Sequence, residues 1–130
     1  MESERFQRGW AKLQEIDGAA GERVIDALKD IAPDLGRFII EFPFGDVYSR
    51  PGLGLKEREI VTVSALAAMG NALPQLKIHI HAALNVGCTR QEIVEIMIQM
   101  AVYAGFPAAL NGMFAAKEVF AERDADDQAN

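Results

Sequence analysis

A chain of 130 residues, half of them apolar, has the size of one domain and can bury a core without disulfide or metal staples. Thirteen Lys and Arg against nineteen Asp and Glu leave a formal charge of -6, which repels a phosphate backbone, so no nucleic-acid partner is expected. The lone Cys88 can form neither an internal disulfide nor a cysteine-rich zinc site, acids stand at Glu2 and Glu4 where a signal peptide carries positive charge, and no apolar run reaches bilayer length. These features fit a reducing cytoplasm and exclude membrane insertion by any signal in the sequence.

Phe6, Trp10, Leu13 and Ile16 recur at helical spacing and predict an amphipathic helix over 3–17, closed near Asp17-Gly18. Val24, Ile25, Leu28 and Ile31 repeat the period from Glu22 to Ala32, and Pro33 suits the first turn of another helix running to Phe42. The prolines, glycines and aromatics of 42–52 predict an irregular segment anchored by its rings, with a helical turn around Asp46. Beyond Leu55 helices are expected at about 55–69, 73–86, 89–104 and 107–122, each break containing a glycine (Gly70, Gly87, Gly105). Thr89 with Glu92 reads as a capping box, and Pro107 fits the first turn of the last helix. No strand alternation appears, so the fold class is all-α, with one domain over 1–123 and a polar tail over 124–130. The helix over 89–104 is apolar on nearly every side, which requires burial all round and predicts a homo-oligomer whose interface supplies the missing cover.

His79 and His81, two apart on a predicted helix, turn through about 200° and cannot share a metal ion. No metal-ligand spacing occurs elsewhere, and for either histidine alone a packed or edge position competes with a functional one. Glu59 stands four and seven residues before Val63 and Leu66, above an apolar face, where desolvation favours the neutral acid that proton transfer uses. A solvated first turn, or pairing with Arg58, is the competing reading. Cys88 sits at a helix start that can activate a thiol, but without a partner thiol it reads as a small apolar filler. Tyr48 and Tyr103 could each present a hydroxyl to a pocket.

Arg50-Pro51-Gly52-Leu53, Arg58-Glu59-Ile60-Val61-Thr62-Val63, Gln75-Leu76 with His79, Ala83-Leu84-Asn85-Val86-Gly87 and the long string Tyr103-Ala104-Gly105-Phe106-Pro107-Ala108-Ala109-Leu110-Asn111 together resemble the carboxymuconolactone decarboxylase family, from about Trp10 to Phe120. The resemblance implies an alkylhydroperoxidase-like subunit of about six helices in a ring-like homo-oligomer, hexamer or trimer. Relatives that reduce peroxides carry a CxxC pair before the histidine; placing that histidine on His79 sets Ala72 and Gln75 where the thiols would lie, so the decarboxylase branch is implied. In that branch the expected activity is cofactor-independent, metal-free decarboxylation of 4-carboxymuconolactone in aromatic-acid (protocatechuate) catabolism. His79 and Glu59 become the implied catalytic pair, and Arg50, Arg58, Gln75 and Tyr103 the implied substrate-binding residues. Another enzyme on this scaffold, a lactone isomerase, a hydrolase or a thiol-independent redox protein, and a non-catalytic ligand-binding oligomer remain the alternatives.

Overall fold

Ser3 opens the first helix, its Oγ accepting the Phe6 amide at 3.1 Å, and the helix α1 runs Glu4–Asp17. It ends at Gly18, whose φ of 59° is open to glycine without steric cost. Residues 2–129 are described by the computed structural model, and among them lie seven α-helices, one π-helix and no strand. The expected class is therefore met: the seven helices that patterning predicts are present, where the resemblance implies about six, together with a π-helix that sequence patterning does not reveal. After α1 come α2 (Ala19–Leu28), α3 (Pro33–Ile39), the π-helix (Ile40–Val47), α4 (Leu55–Met69), α5 (Leu73–Asn85), α6 (Arg90–Tyr103) and α7 (Phe106–Ala129). Two compact units divide the chain, one up to Leu55 and one from Lys56 onward.

In the N-terminal unit α1 packs along the π-helix, with α2 bridging to α1 and α3. The segment from Phe42, expected to be irregular, is π-helical through Val47, and α3 stops at Ile39 rather than Phe42. Pro43 explains the change: it has no amide hydrogen to continue the α ladder, and its own carbonyl accepts the Tyr48 amide five residues on, at 2.7 Å. Two glycines let the backbones meet. A Cβ at Gly9 would collide with the Ile40 carbonyl oxygen, and one at Gly45 with the Arg5 carbonyl oxygen. Arg5 then clamps Asp46 bidentately at 2.7 and 3.1 Å, and Arg8 donates to the Gly45 carbonyl at 2.7 Å. The Arg5 guanidinium hydrogen-bonds the Asp46 carboxyl and holds it below the usual carboxylate range.

In the C-terminal unit Val63 and Ala67 of α4, Leu76, Ile80 and Ala83 of α5, Ile93, Ile96 and Met97 of α6, and Ala115, Ala116 and Val119 of α7 form one buried core with Cys88. The expected capping box is present: Thr89 Oγ1 accepts the Glu92 amide at 3.0 Å while Glu92 accepts the Thr89 amide at 2.8 Å. Gly70, Gly87 and Gly105 all take positive φ at the helix breaks. Burial of α6 is one-sided in the single chain, because Ile98, Val102 and Tyr103 stay exposed while Ile93, Ile96 and Met97 are buried. Residues 124–129 of the expected tail are helical and extend α7, where Asp124 accepts from Arg90 at 2.7 Å and Arg90 also lies over the Phe120 ring.

Where backbones or side chains touch glycine, a methyl group should be costly. Gly9→Ala, and Gly112→Ala against Met97 Sδ, should each lower unfolding free energy by about 1–3 kcal/mol in chemical denaturation. Gly52→Ala, which meets nothing within 4 Å, should stay within about 0.5 kcal/mol of wild type.

Candidate active site

On α4, Glu59, Val63 and Ala67 recur every four residues and are all buried, so the glutamate occupies the same stripe that builds the core. Its side chain is 0% exposed, more deeply sealed than the partial desolvation expected from sequence. On α5, His79 borders the stripe formed by Leu76, Ile80 and Ala83 and keeps 20% of its side chain exposed. The two helices bring His79 Nδ1 to 2.8 Å from Glu59 Oε1. Glu59 Oε2 is buried with no hydrogen-bond partner among the described residues.

This pair couples a sealed carboxyl to an imidazole that solvent reaches. One proton on the Nδ1–Oε1 line fixes the ring orientation, and the remaining exchange chemistry of the imidazole falls to Nε2. Among the described residues one oxygen of this buried carboxyl is satisfied, by His79, so removing the histidine strands the carboxyl in the core.

His81 turns the other way, as the two-residue spacing requires. Its Nδ1 accepts from Arg123 at 3.2 Å, which puts its ring proton on Nε2, directed at Glu122 Oε2 at 2.8 Å. The hydrogen bond from His81, joined by Lys77, holds the Glu122 carboxyl below its ordinary range. His81 thus ties α5 to α7, a link that sequence reasoning did not assign because its partners lie 41 and 42 residues away.

The other sequence-predicted residues are placed less centrally. Arg58 precedes Glu59 on α4 and is half-buried; Gln75 lies one turn before His79 on α5 and is exposed. Tyr103 ends α6 with 80% of its surface exposed. Arg50 is exposed after the π-helix in the N-terminal unit, and Tyr48 closes that helix with its ring stacked on Phe44. A separate cavity of about 340 Å³ in the N-terminal unit, lined by Phe6, Trp10, Ile25, Pro33 and Ile40 with Lys29 and Arg37, includes neither His79 nor Glu59. Among the described residues no three His, Cys, Asp or Glu gather in a way that could hold a metal ion, and no helix is long and apolar enough to cross a membrane.

A buried glutamate hydrogen-bonded to a histidine is an arrangement capable of acid–base chemistry, whereas one cysteine cannot carry dithiol exchange. The carboxymuconolactone decarboxylase family model matches residues 33–118, and the chain belongs to that family. It is 35% identical over 120 residues to a 4-carboxymuconolactone decarboxylase of Acinetobacter baylyi, covering 92% of this chain and 89% of that one. It is also 32% identical over 111 residues to a nitrosuccinic acid decarboxylase of Metarhizium robertsii, covering 83% and 76% respectively. An uncharacterized 15.0 kDa protein of Paracoccus denitrificans shares 34% identity over 99 residues, 75% of this chain and 74% of that one. The protein is a carboxy-lyase of this family.

Cys88 is buried with its sulfur toward the Lys56 carbonyl, and burial, reinforced by the Glu92 charge, pushes its thiol above the ordinary range. A raised value means that thiolate forms only at higher pH than in a free cysteine. Iodoacetamide should therefore alkylate the native protein about tenfold or more slowly than the urea-unfolded chain at neutral pH, with the gap narrowing as pH rises. Equal rates at neutral pH would show that the thiol is accessible and unshifted.

Proposed function

We propose that this carboxy-lyase decarboxylates 4-carboxymuconolactone to the β-ketoadipate enol-lactone, in aromatic-acid (protocatechuate) catabolism in the cytoplasm, without a cofactor. The observation that carries the reading is the Glu59–His79 hydrogen bond, which joins the two residues that the family resemblance singles out. Similarity over nearly the full length of the Acinetobacter baylyi enzyme supports the choice of substrate.

In the proposed reaction the bond between the ring carbon and its carboxylate breaks, CO₂ departs, and the electron pair moves through the conjugated double bond into the lactone carbonyl. A proton delivered to the α-carbon then restores the neutral lactone. The unsaturated lactone is itself the electron sink. His79 acts through Nε2, as donor to the developing oxyanion or to the α-carbon, while Glu59 positions the ring and rebalances its charge through Nδ1. Arg58 attracts the retained carboxylate locally in an otherwise acidic protein, with Gln75 and Tyr103 as further substrate contacts. The protein functions as a homo-oligomer, a trimer or hexamer, because the α6–α7 surface leaves Ile98, Val102, Tyr103, Phe106, Leu110 and Phe114 in water in a single chain.

A second reading follows from the Metarhizium robertsii relative, whose name gives a succinic acid bearing a nitro group as substrate. Both substrates lose CO₂ into a neighbouring group that can hold the electron pair on oxygen, and both keep a second carboxylate. On that reading the scaffold selects the electron sink, and this chain takes a different dicarboxylate of the same kind.

Purified protein should release CO₂ from 4-carboxymuconolactone, and His79→Ala should reduce the turnover by about 10²-fold or more at unchanged helical content. Glu59→Gln should keep the fold but lower kcat with little change in KM, as expected of a residue acting through His79. Full activity in His79→Ala would remove the histidine from the mechanism. A folded wild type inert on this lactone, yet active on nitrosuccinate, would select the second reading.

A further inference from the structure

Three pairs of residues, each pair four apart in the sequence, line one cavity in the N-terminal unit: Phe6 and Trp10 on α1, Ile25 and Lys29 along α2 and its cap, and Pro33 and Arg37 on α3. Four residues return a helix to nearly the same face, so each helix sets both members of its pair toward the same space of about 340 Å³. The Phe6 and Trp10 rings lie 4° from parallel with centroids 6.4 Å apart, which gives the cavity a flat aromatic wall. Ile25 and Ile40 close its inner side as buried core residues.

The two cations stand one turn beyond Ile25 and Pro33, and both are exposed. Lys29 Nζ holds Asp26 at 2.7 Å, which occupies one of its three hydrogens. Arg37 holds Asp34 through Nη1 at 3.1 Å and Glu41 through Nε at 3.4 Å, and neither bond uses Nη2. Donors are therefore left over at both cations. Glu2 and Asp26 also border the cavity, so its lining carries as many cations as anions. In a chain of formal charge -6 that balance is a local exception, and it admits an anion that an acidic surface otherwise repels.

We propose that this cavity binds a small planar aromatic carboxylate, its ring laid on Phe6 and Trp10 and its carboxylate shared by Lys29 and Arg37. The volume is that of a small-ligand site, and apolar walls with a few charged groups are what such sites use to orient a ligand. An aliphatic acid would leave the parallel rings without a matching face, and a neutral ring would leave the spare donors without an acceptor. The site is built wholly from the N-terminal unit, and the proposal does not rest on the decarboxylase reading.

Benzoate is the probe, and Trp10, the sole tryptophan, reports the cavity wall directly. Calorimetric titration of the intact protein should show about one benzoate bound per chain with a Kd of about 1 mM or tighter, accompanied by a saturable change in Trp10 emission. Lys29→Met/Arg37→Met alters two exposed side chains and should leave helicity unchanged, yet weaken benzoate by about tenfold or more. Benzyl alcohol should bind the wild type about tenfold or more weakly than benzoate, and His79→Ala should bind benzoate as the wild type does. No saturable heat up to about 10 mM benzoate, or undiminished binding in the double variant, would overturn the proposal. So would benzoate binding lost in His79→Ala, which places the ligand at the Glu59–His79 pair, or equal affinity for benzyl alcohol, which makes the cavity a site for neutral rings.

Discussion

A carboxyl group removed completely from water must be matched by what surrounds it, and much of the C-terminal unit is arranged around that requirement at Glu59. Among the described residues this carboxyl has its side-chain hydrogen bond with His79, so α4 and α5 have to hold their relative register closely enough to keep 2.8 Å between Oε1 and Nδ1. That register is set by apolar packing. Val63 and Ala67 continue the Glu59 stripe down α4, and Leu76, Ile80 and Ala83 flank His79 on α5; all five share one core. The candidate chemistry is therefore located where the core stripe ends, with the glutamate sealed inside and the histidine at the boundary with solvent.

The remaining helices hold that core by contacts of different kinds. Between α6 and α7 the fit is steric, with Met97 seated on Gly112. Between α5 and α7 it is polar, through Lys77 to Glu118 and Glu122, and His81 between Glu122 and Arg123. The histidine pair thus divides its work by helix geometry: one ring faces the buried glutamate, and the other faces an exposed ionic link. In the N-terminal unit the same economy appears in the backbone, where two glycines and a proline-induced π-helix bring α1 close enough for Arg5 and Arg8 to grip the residues after Pro43.

Half of the chain is apolar, more than its own cores cover. The excess collects on α6–α7 and on α3 with the π-helix, where charged residues are sparse or occur in balanced pairs. A net negative chain that leaves two apolar faces in water gains by covering them with neutral or self-complementary surface, which is the physical basis for expecting assembly.

Local chemistry determined much of this protein from its sequence. Helical periodicity, the Thr89 capping box, the prolines at helix starts and the glycines at breaks specify element type and boundaries because each acts within a few residues. The family motifs likewise marked Glu59 and His79 before their contact was known. Tertiary structure alone decided the rest. The Glu59–His79 bond spans twenty residues, so which histidine meets the glutamate, and how completely that glutamate is buried, depends on how α4 and α5 pack. Residues 124–129 carry no apolar pattern, yet they are helical because α7 is already wound and Arg90 reaches Asp124. The π-helix is likewise invisible to periodicity, since its wide turn follows from Pro43 lacking a donor and from α1 pressing against Gly45.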